Sequence, residues 1–230
     1  MIDNKFVIGI SPRMWSNETQ DFLRVSTQYT NMLKRDDIVS LILTPSSTLT
    51  TLLNFCDGFL LIGGDDLDPK YYHETNDLGL SKGINKVIDE MDFEIVNHAV
   101  ESKKPLLGIC RGIQDLAAFL NGSLYQDLVH DKVSHPLEDE HLHYVDKVNN
   151  FGVAKKLGDH FLVNSYHHQA VKDVPNDFVI LYKNADTIEA IEHKNLPLLG
   201  VQWHPERIKS NESTIIFDYF FGKLYERKNN

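Results

Sequence analysis

The stretch Leu106-Leu107-Gly108-Ile109-Cys110-Arg111-Gly112-Ile113-Gln114 constrains this chain more than any other. Leu106 to Ile109 is a short apolar run of the kind that forms a buried strand. Gly112 to Leu120 reads as a helix, and Cys110 sits at the junction. Gly-x-Cys-x-Gly is a nucleophile elbow with cysteine in place of serine. So tight a strand-to-helix turn leaves no room for side chains two residues either side of the nucleophile. The turn lifts the sulfur clear of the sheet and sets it near a helix N-terminus, where thiolate and a developing oxyanion are both favoured. A buried structural cysteine at a strand end fits the same short pattern. The far end of the chain is what tips the balance.

The remaining pattern surrounds this elbow with an α/β layer structure. Strands are predicted at Lys5–Ile10, Ile38–Leu43 and Gly58–Ile62, and helices at Phe22–Leu33, Leu49–Phe55 and Asn85–Ser102. In the last of these, Ile88, Met91, Ile95 and Ala99 recur on one face. Alternation of this sort implies an open, mostly parallel sheet with helices on both faces, a flavodoxin-like arrangement. Ser11–Asn17 reads as a loop over the carboxyl edge, where such sheets place their sites. The C-terminal third adds strands at Phe161–Tyr166, Phe178–Tyr182, Thr187–Glu192 and Leu198–Trp203. Ser213–Glu226 is an aromatic-rich closing helix, read as buried on the sheet more readily than as a subunit interface. The expectation is one domain over residues 1–230.

Two further turns carry candidate chemistry. Gly63-Gly64 follows a central strand, where backbone N–H groups can approach a ligand as the second half of an oxyanion hole; a plain tight turn is the simpler account of two glycines. Val201-Gln202-Trp203-His204-Pro205-Glu206 ends the last strand. Pro205 biases His204 towards an extended backbone, so His204 and Glu206 face the same way. A carboxylate holding an imidazole, and an imidazole activating a thiol, is triad logic.

Other features limit the function class. The net charge of −10 argues against a nucleic-acid or anionic-membrane surface. No apolar run reaches the roughly 18 residues of a membrane span, and Met1–Ser11 lacks the pattern of a signal peptide. Two cysteines, Cys56 and Cys110, suit a reducing, cytoplasmic setting rather than a disulfide framework. His130, His135, His141 and His143 crowd one segment, but with no cysteine or tight helical pairing they are expected to form a loop and strand edge, not a metal site.

The motifs together resemble the class I glutamine amidotransferase superfamily, in its stand-alone branch of γ-glutamyl hydrolases, typified by γ-glutamyl-γ-aminobutyrate hydrolase. The resemblance runs through 56–64, Asp66, Pro69, Asp92-Phe93-Glu94, 105–114, 124–128, the Val163–Val171 segment, 188–192 and 200–206. It implies Cys110 as nucleophile, His204 as general base then acid, and Glu206 as orienter. It implies backbone N–H groups of Gly64 and Arg111 as the oxyanion hole. Gln114, Tyr166, His167, His168 and Gln169 would hold the glutamyl part. The implied substrate is a small γ-glutamyl amide, with no metal or organic cofactor; a glutaminase subunit feeding ammonia to a synthetase is the alternative. A homodimer stays open. Asp65 departs from the family pattern where relatives carry a third glycine, Met91 where they carry arginine, and Asp186-Thr187 where they carry Asp-Gly. Loops 11–20, 66–85 and 130–142 are expected to build the amine side of the pocket.

Overall fold

In a computed structural model of the chain, residues 4–139 and 141–228 are described. The first three residues of the Met1–Ser11 stretch, and residue 140 of the histidine-rich segment, lie outside them. The first half runs β1 (Phe6–Ser11), β2 (Arg13–Ser16), β3 (Asp21–Arg24), α1 (Thr27–Met32), β4 (Ile38–Ile42), α2 (Leu49–Phe55), β5 (Gly58–Leu61), α3 (Lys86–Ser102), β6 (Leu106–Ile109) and α4 (Arg111–Phe119). The second half adds β7 (Ser123–Tyr125), β8 (Leu142–Lys147), β9 (His160–Asn164), β10 (Ala170–Asp173), β11 (Phe178–Asn184), β12 (Thr187–His193), β13 (Leu198–Val201) and α5 (Asn211–Lys228).

The central sheet has the order β4-β1-β5-β6-β13-β12-β11-β8-β9. Its first five strands are parallel neighbours; from β13 onward the pairing is antiparallel. Strand β6 lies between β5 and β13, with Leu61 opposite Gly108 and Val201 opposite Ile109. Three carboxyl ends therefore finish side by side, about 4.8 Å apart per strand. Ile62-Gly63-Gly64, Cys110 and Gln202-Trp203-His204 leave the sheet there.

Alternation along each strand feeds two cores. On one face Ile8, Ile10, Leu60 and Leu107 pack with Tyr29 and Leu33 and with Phe217, Phe220, Phe221 and Leu224 of α5. On the other, Val7, Phe59, Leu61 and Leu106 meet Leu53 of α2, Ile88, Ile95 and Ala99 of α3, and Ile113 and Leu116 of α4. The aromatic face of α5 is thus buried on the sheet, the first of the two readings its composition allows.

Near the N-terminus the structure departs from expectation. The segment expected as a loop, followed by a helix from Phe22, forms a β-hairpin instead: Trp15 pairs with Phe22 and Arg13 with Arg24. Asn17 Oδ1 accepts from the Thr19 and Gln20 N–H groups and closes its turn. The helix begins only at Thr27, capped by Ser26. The cap stops the helical pattern from running back to Phe22.

Candidate functional site

Cys110 occupies the elbow with φ 55° and ψ −103°, a conformation costly for any residue with a Cβ. The flanking glycines are needed by contact. A Cβ on Gly108 would lie 2.4 Å from the Gly112 carbonyl oxygen, and one on Gly112 would lie 2.7 Å from that of Leu61. Cys110 N–H donates to the Val201 carbonyl at 2.8 Å, which fixes the elbow against β13.

His204 arrives from β13 and is clamped through its backbone. Asn164 Nδ2 donates to its carbonyl, and its N–H donates to Asn164 Oδ1, both at 2.8 Å. His204 Nδ1 lies 2.7 Å from Glu206 Oε1, which leaves Nε2 for a second partner. Burial disfavours the imidazolium, but the charge of Cys110, a hydrogen bond to it and Glu206 outweigh burial and push the His204 pKa up to about 9. Cys110 is thus brought together with His204 and Glu206, which lie more than 90 residues further along the chain.

The Gly63-Gly64 turn lies over this trio. A Cβ on Gly63 would meet His204 Cε1 at 2.6 Å and Cys110 Cβ at 3.4 Å. The Gly63 N–H is already engaged with Tyr29 Oη at 3.0 Å, so Gly64 supplies the next N–H along the turn. Arg111 is the first residue of α4, and helix geometry leaves its N–H without an intrahelical acceptor.

Two arginines brace the turn from behind. Arg13 Nε donates to the Gly63 carbonyl at 3.1 Å, and its terminal nitrogen to that of Ile62. Arg111 Nη1 donates to the Asp65 carbonyl at 3.0 Å. Both guanidiniums are anchored in a buried acid cluster: Arg111 pairs with Asp89 at 2.6 Å, Asp115 at 3.4 Å and Asp92 at 3.5 Å, and Arg13 with Asp92 at 3.0 Å. Three carboxyls face two cations. Burial, with the neighbouring charge of Asp92, overrides Arg111 and pushes the Asp115 carboxyl up to about 8.

These elements open onto a cavity of about 480 Å³ lined by Arg13, Met14, Arg24, Tyr29, Gly63, Gly64, Asp65, Cys110, Tyr166, His204 and Arg207, among others. Of the five residues expected to hold the glutamyl part, Tyr166 alone lines it. Gln114 is buried, donating to the Gln169 carbonyl and Gln202 Oε1, both at 3.2 Å. Gln169 donates to Ser81 and to the Gln126 carbonyl. His168 bridges Asp66 at 3.0 Å and Asp127 at 3.3 Å. His167 faces away, Nδ1 donating to the Gln169 carbonyl at 3.0 Å. These four shape the turn that carries Tyr166. Of the loops expected on the amine side, 11–20 reaches the cavity through Arg13 and Met14; Gly83, from 66–85, lines an adjoining cavity.

Three contributors were not singled out in the sequence. Tyr29 touches both His204 Nδ1, at 3.3 Å, and Gly63. Arg13 and Asn164 hold the two turns. Tyr29 and Arg13 gave no signal because a hairpin and a short helix bring them in. Asn164 lies inside the Val163–Val171 segment, so its neighbourhood was visible but its role was not.

The Peptidase C26 profile matches residues 6–206. Protein NtpR of Enterococcus hirae is 33% identical over 235 residues, covering 93% of this chain and 97% of its own length. The γ-glutamyl-γ-aminobutyrate hydrolase PuuD of Escherichia coli is 32% identical over 196 residues, covering 77% of this chain and 76% of its own. Among solved structures, a glutamine amidotransferase from Thermotoga maritima superposes with a TM-score of 0.61 at 16% identity, over 99% of this chain and 86% of that one. The glutaminase domain of Trypanosoma brucei CTPS with bound acivicin gives a TM-score of 0.64 at 12% identity, over 96% and 94%. An elbow cysteine at the centre of a parallel sheet, within a profile match covering most of the sequence, places the chain in the Peptidase C26 family, with the class I glutamine amidotransferase fold.

Proposed function

We propose that the chain hydrolyses γ-glutamyl amides through a thioester on Cys110. The observation that carries this reading is that Cys110 and His204 line one cavity, with Glu206 holding His204 from behind. The Cys110 thiolate adds to the δ-carbonyl carbon, and the oxyanion is held by the N–H groups of Gly64 and Arg111. The C–N bond then breaks as His204 Nε2–H gives its proton to the leaving amine. Water attacks the thioester while His204 takes its proton. The C–S bond breaks, glutamate leaves, and the thiolate–imidazolium pair is restored. Glu206 holds the imidazole with Nε2 towards the sulfur throughout. The Escherichia coli relative named as a γ-glutamyl-γ-aminobutyrate hydrolase supports the substrate class. Steady glutamate release by the purified chain alone, from γ-glutamyl amides more readily than from glutamine, is the expected result. Activity only on adding a synthetase would point to a glutaminase subunit instead.

The raised His204 pKa sets the alkaline limit. Acid catalysis by His204 needs the imidazolium, so kcat/KM falls as pH rises through about 9. Its stabilising contribution follows the same sign: present below the ordinary value of 6.5, lost as pH rises through about 9. Glu206→Gln removes one of the supports and moves the alkaline limb of the pH–rate profile to lower pH.

The cavity also suggests which amines leave best. Arg24 and Arg207 both line it, in a chain whose net charge is −10, and the Arg207 guanidinium stands 4.9 Å over the Tyr166 ring. A carboxylate on the leaving amine would meet one or both. Arg24→Ala is expected to lower kcat/KM for such a substrate by about tenfold, a charged hydrogen bond's roughly 1.5 kcal/mol, with little change for glutamine. An equal loss on both would remove Arg24 from specificity.

A further inference from the structure

Behind the Tyr166 turn, four buried side chains converge with their polar atoms unspent. His143 Nε2, His135 Nδ1 and His167 Nε2 lie 3.2, 3.7 and 3.8 Å from Glu189 Oε1. None of these four atoms makes a hydrogen bond, and Glu189 Oε2 makes none either. The Glu189 and His143 side chains are 0% exposed, and His167 is 2% exposed. Leaving so many buried polar groups unpaired is costly. One ring fixes the argument. His167 Nδ1 faces the Gln169 carbonyl, which can only accept, so Nδ1 carries the proton. In the neutral ring Nε2 is then a bare lone pair directed at a carboxylate oxygen. Two acceptors facing one another repel, and a cation between them would satisfy both.

We infer that His135, His143 and Glu189, joined by His167, bind a first-row divalent metal ion such as Zn²⁺. One ligand atom from each of the first three lies within 4.8 Å of the others. Two donors at about 2.05 Å from a tetrahedral zinc are roughly 3.3 Å apart, close to the Glu189–histidine separations. Three imidazoles and a carboxylate suit zinc, cobalt or nickel and not calcium or magnesium. Two of the three outer nitrogens are held as metal-bound histidines usually are: His167 Nδ1 by the Gln169 carbonyl, and His135 Nε2 by Ser165 Oγ at 3.1 Å; His143 Nδ1 is buried without such a partner. His135 is partly open to solvent, on the irregular chain between β7 and β8, and gives the ion a way in. Bound there, the metal ties β8, β12 and that chain to the Ser165–Gln169 turn. Its role is to position Tyr166 at the cavity, with no part in the bond-breaking steps.

The expectation of no metal in the histidine-rich segment came from spacing within that segment alone. His130 and His141 do turn elsewhere, to Asp131 and to the Tyr166 ring. His135 and His143 instead meet Glu189 and His167, from strand β12 and a distant turn.

The test uses full-length Cys110→Ala protein, which removes the catalytic thiol as a rival ligand, stripped with chelator and titrated with Co²⁺. One equivalent bound, with the intense visible absorption of a four-coordinate nitrogen–oxygen site, is the expected result. Zn²⁺ should then displace the cobalt and bleach the colour. His143→Gln and His135→Gln, checked for fold by circular dichroism, should each weaken binding about 100-fold or more, beyond the usual effect of an outer-shell change. His168→Asn, at the surface Asp66–Asp127 site, should leave it unchanged. No binding by the folded parent protein overturns the inference, as does stoichiometric binding that survives both histidine changes. If both variants misfold, the parent titration decides alone. Because the readout is metal and not turnover, its outcome is independent of the γ-glutamyl reading.

Discussion

Replacing Cys110 by alanine should reduce γ-glutamyl hydrolysis by about 10⁴-fold or more, the usual consequence of deleting a covalent nucleophile whose partners act with it as a unit. The fold should survive the change. Cys110 has φ 55°, and alanine carries no more bulk at Cβ than cysteine does there. Among the described residues, His204 is the hydrogen-bond partner of the thiol. A melting temperature within a few degrees of the parent, together with lost glutamate release, is the expected pair of results. Retained turnover would remove Cys110 from the chemistry. Loss of both fold and turnover would reveal it as structural, the other meaning of a cysteine at a strand end.

The second large effect is on stability. Arg111→Met should cost about 3–5 kcal/mol, because it leaves Asp89, Asp92 and Asp115 buried with Arg13 as their remaining cation. For a chain of this size that is a drop of roughly 10 °C in Tm. Lysine should recover little. A single ammonium cannot replace a planar fork that reaches three carboxylates and the Asp65 carbonyl together. The backbone N–H at 111 is kept in both variants, so any folded fraction still presents it to an oxyanion. An unchanged Tm in either variant would mean that the acid cluster is satisfied some other way. If the carboxyls of the methionine variant take up protons in place of the lost cation, its stability falls steeply on raising pH.

How legible the fold was depended on where each side chain gets its partners. Leu49–Phe55 and Asn85–Ser102 were readable because each helix covers one continuous face of the sheet, so its apolar spacing is regular. The elbow and the His204–Pro205–Glu206 ending were readable because backbone geometry demands those residue types locally. The hairpin at Arg13–Arg24 was not. Trp15, Phe22 and Leu23 are partly exposed there, so no buried face imposes a strand period. The turn that carries Tyr166 was visible as a motif, but the partners of its side chains were not. Gln114, His167, His168 and Gln169 find hydrogen-bond partners that lie 41 to 102 residues away or on local carbonyls, which no one-dimensional spacing displays. The buried acid cluster was hidden in the same way. Asp89 and Asp92 were read as helix residues, and only the packing of α3 against α4 turns them towards Arg111.

The thioester on Cys110 is the centre of the account, and it is the species to look for directly. The protein would be mixed with a γ-glutamyl amide, quenched in acid within the first turnovers, digested and examined by mass spectrometry. The account predicts one γ-glutamyl group on the peptide containing Cys110, released by hydroxylamine and absent from Cys110→Ala. Full turnover with no adduct on that peptide, persisting in Cys110→Ala, would contradict it.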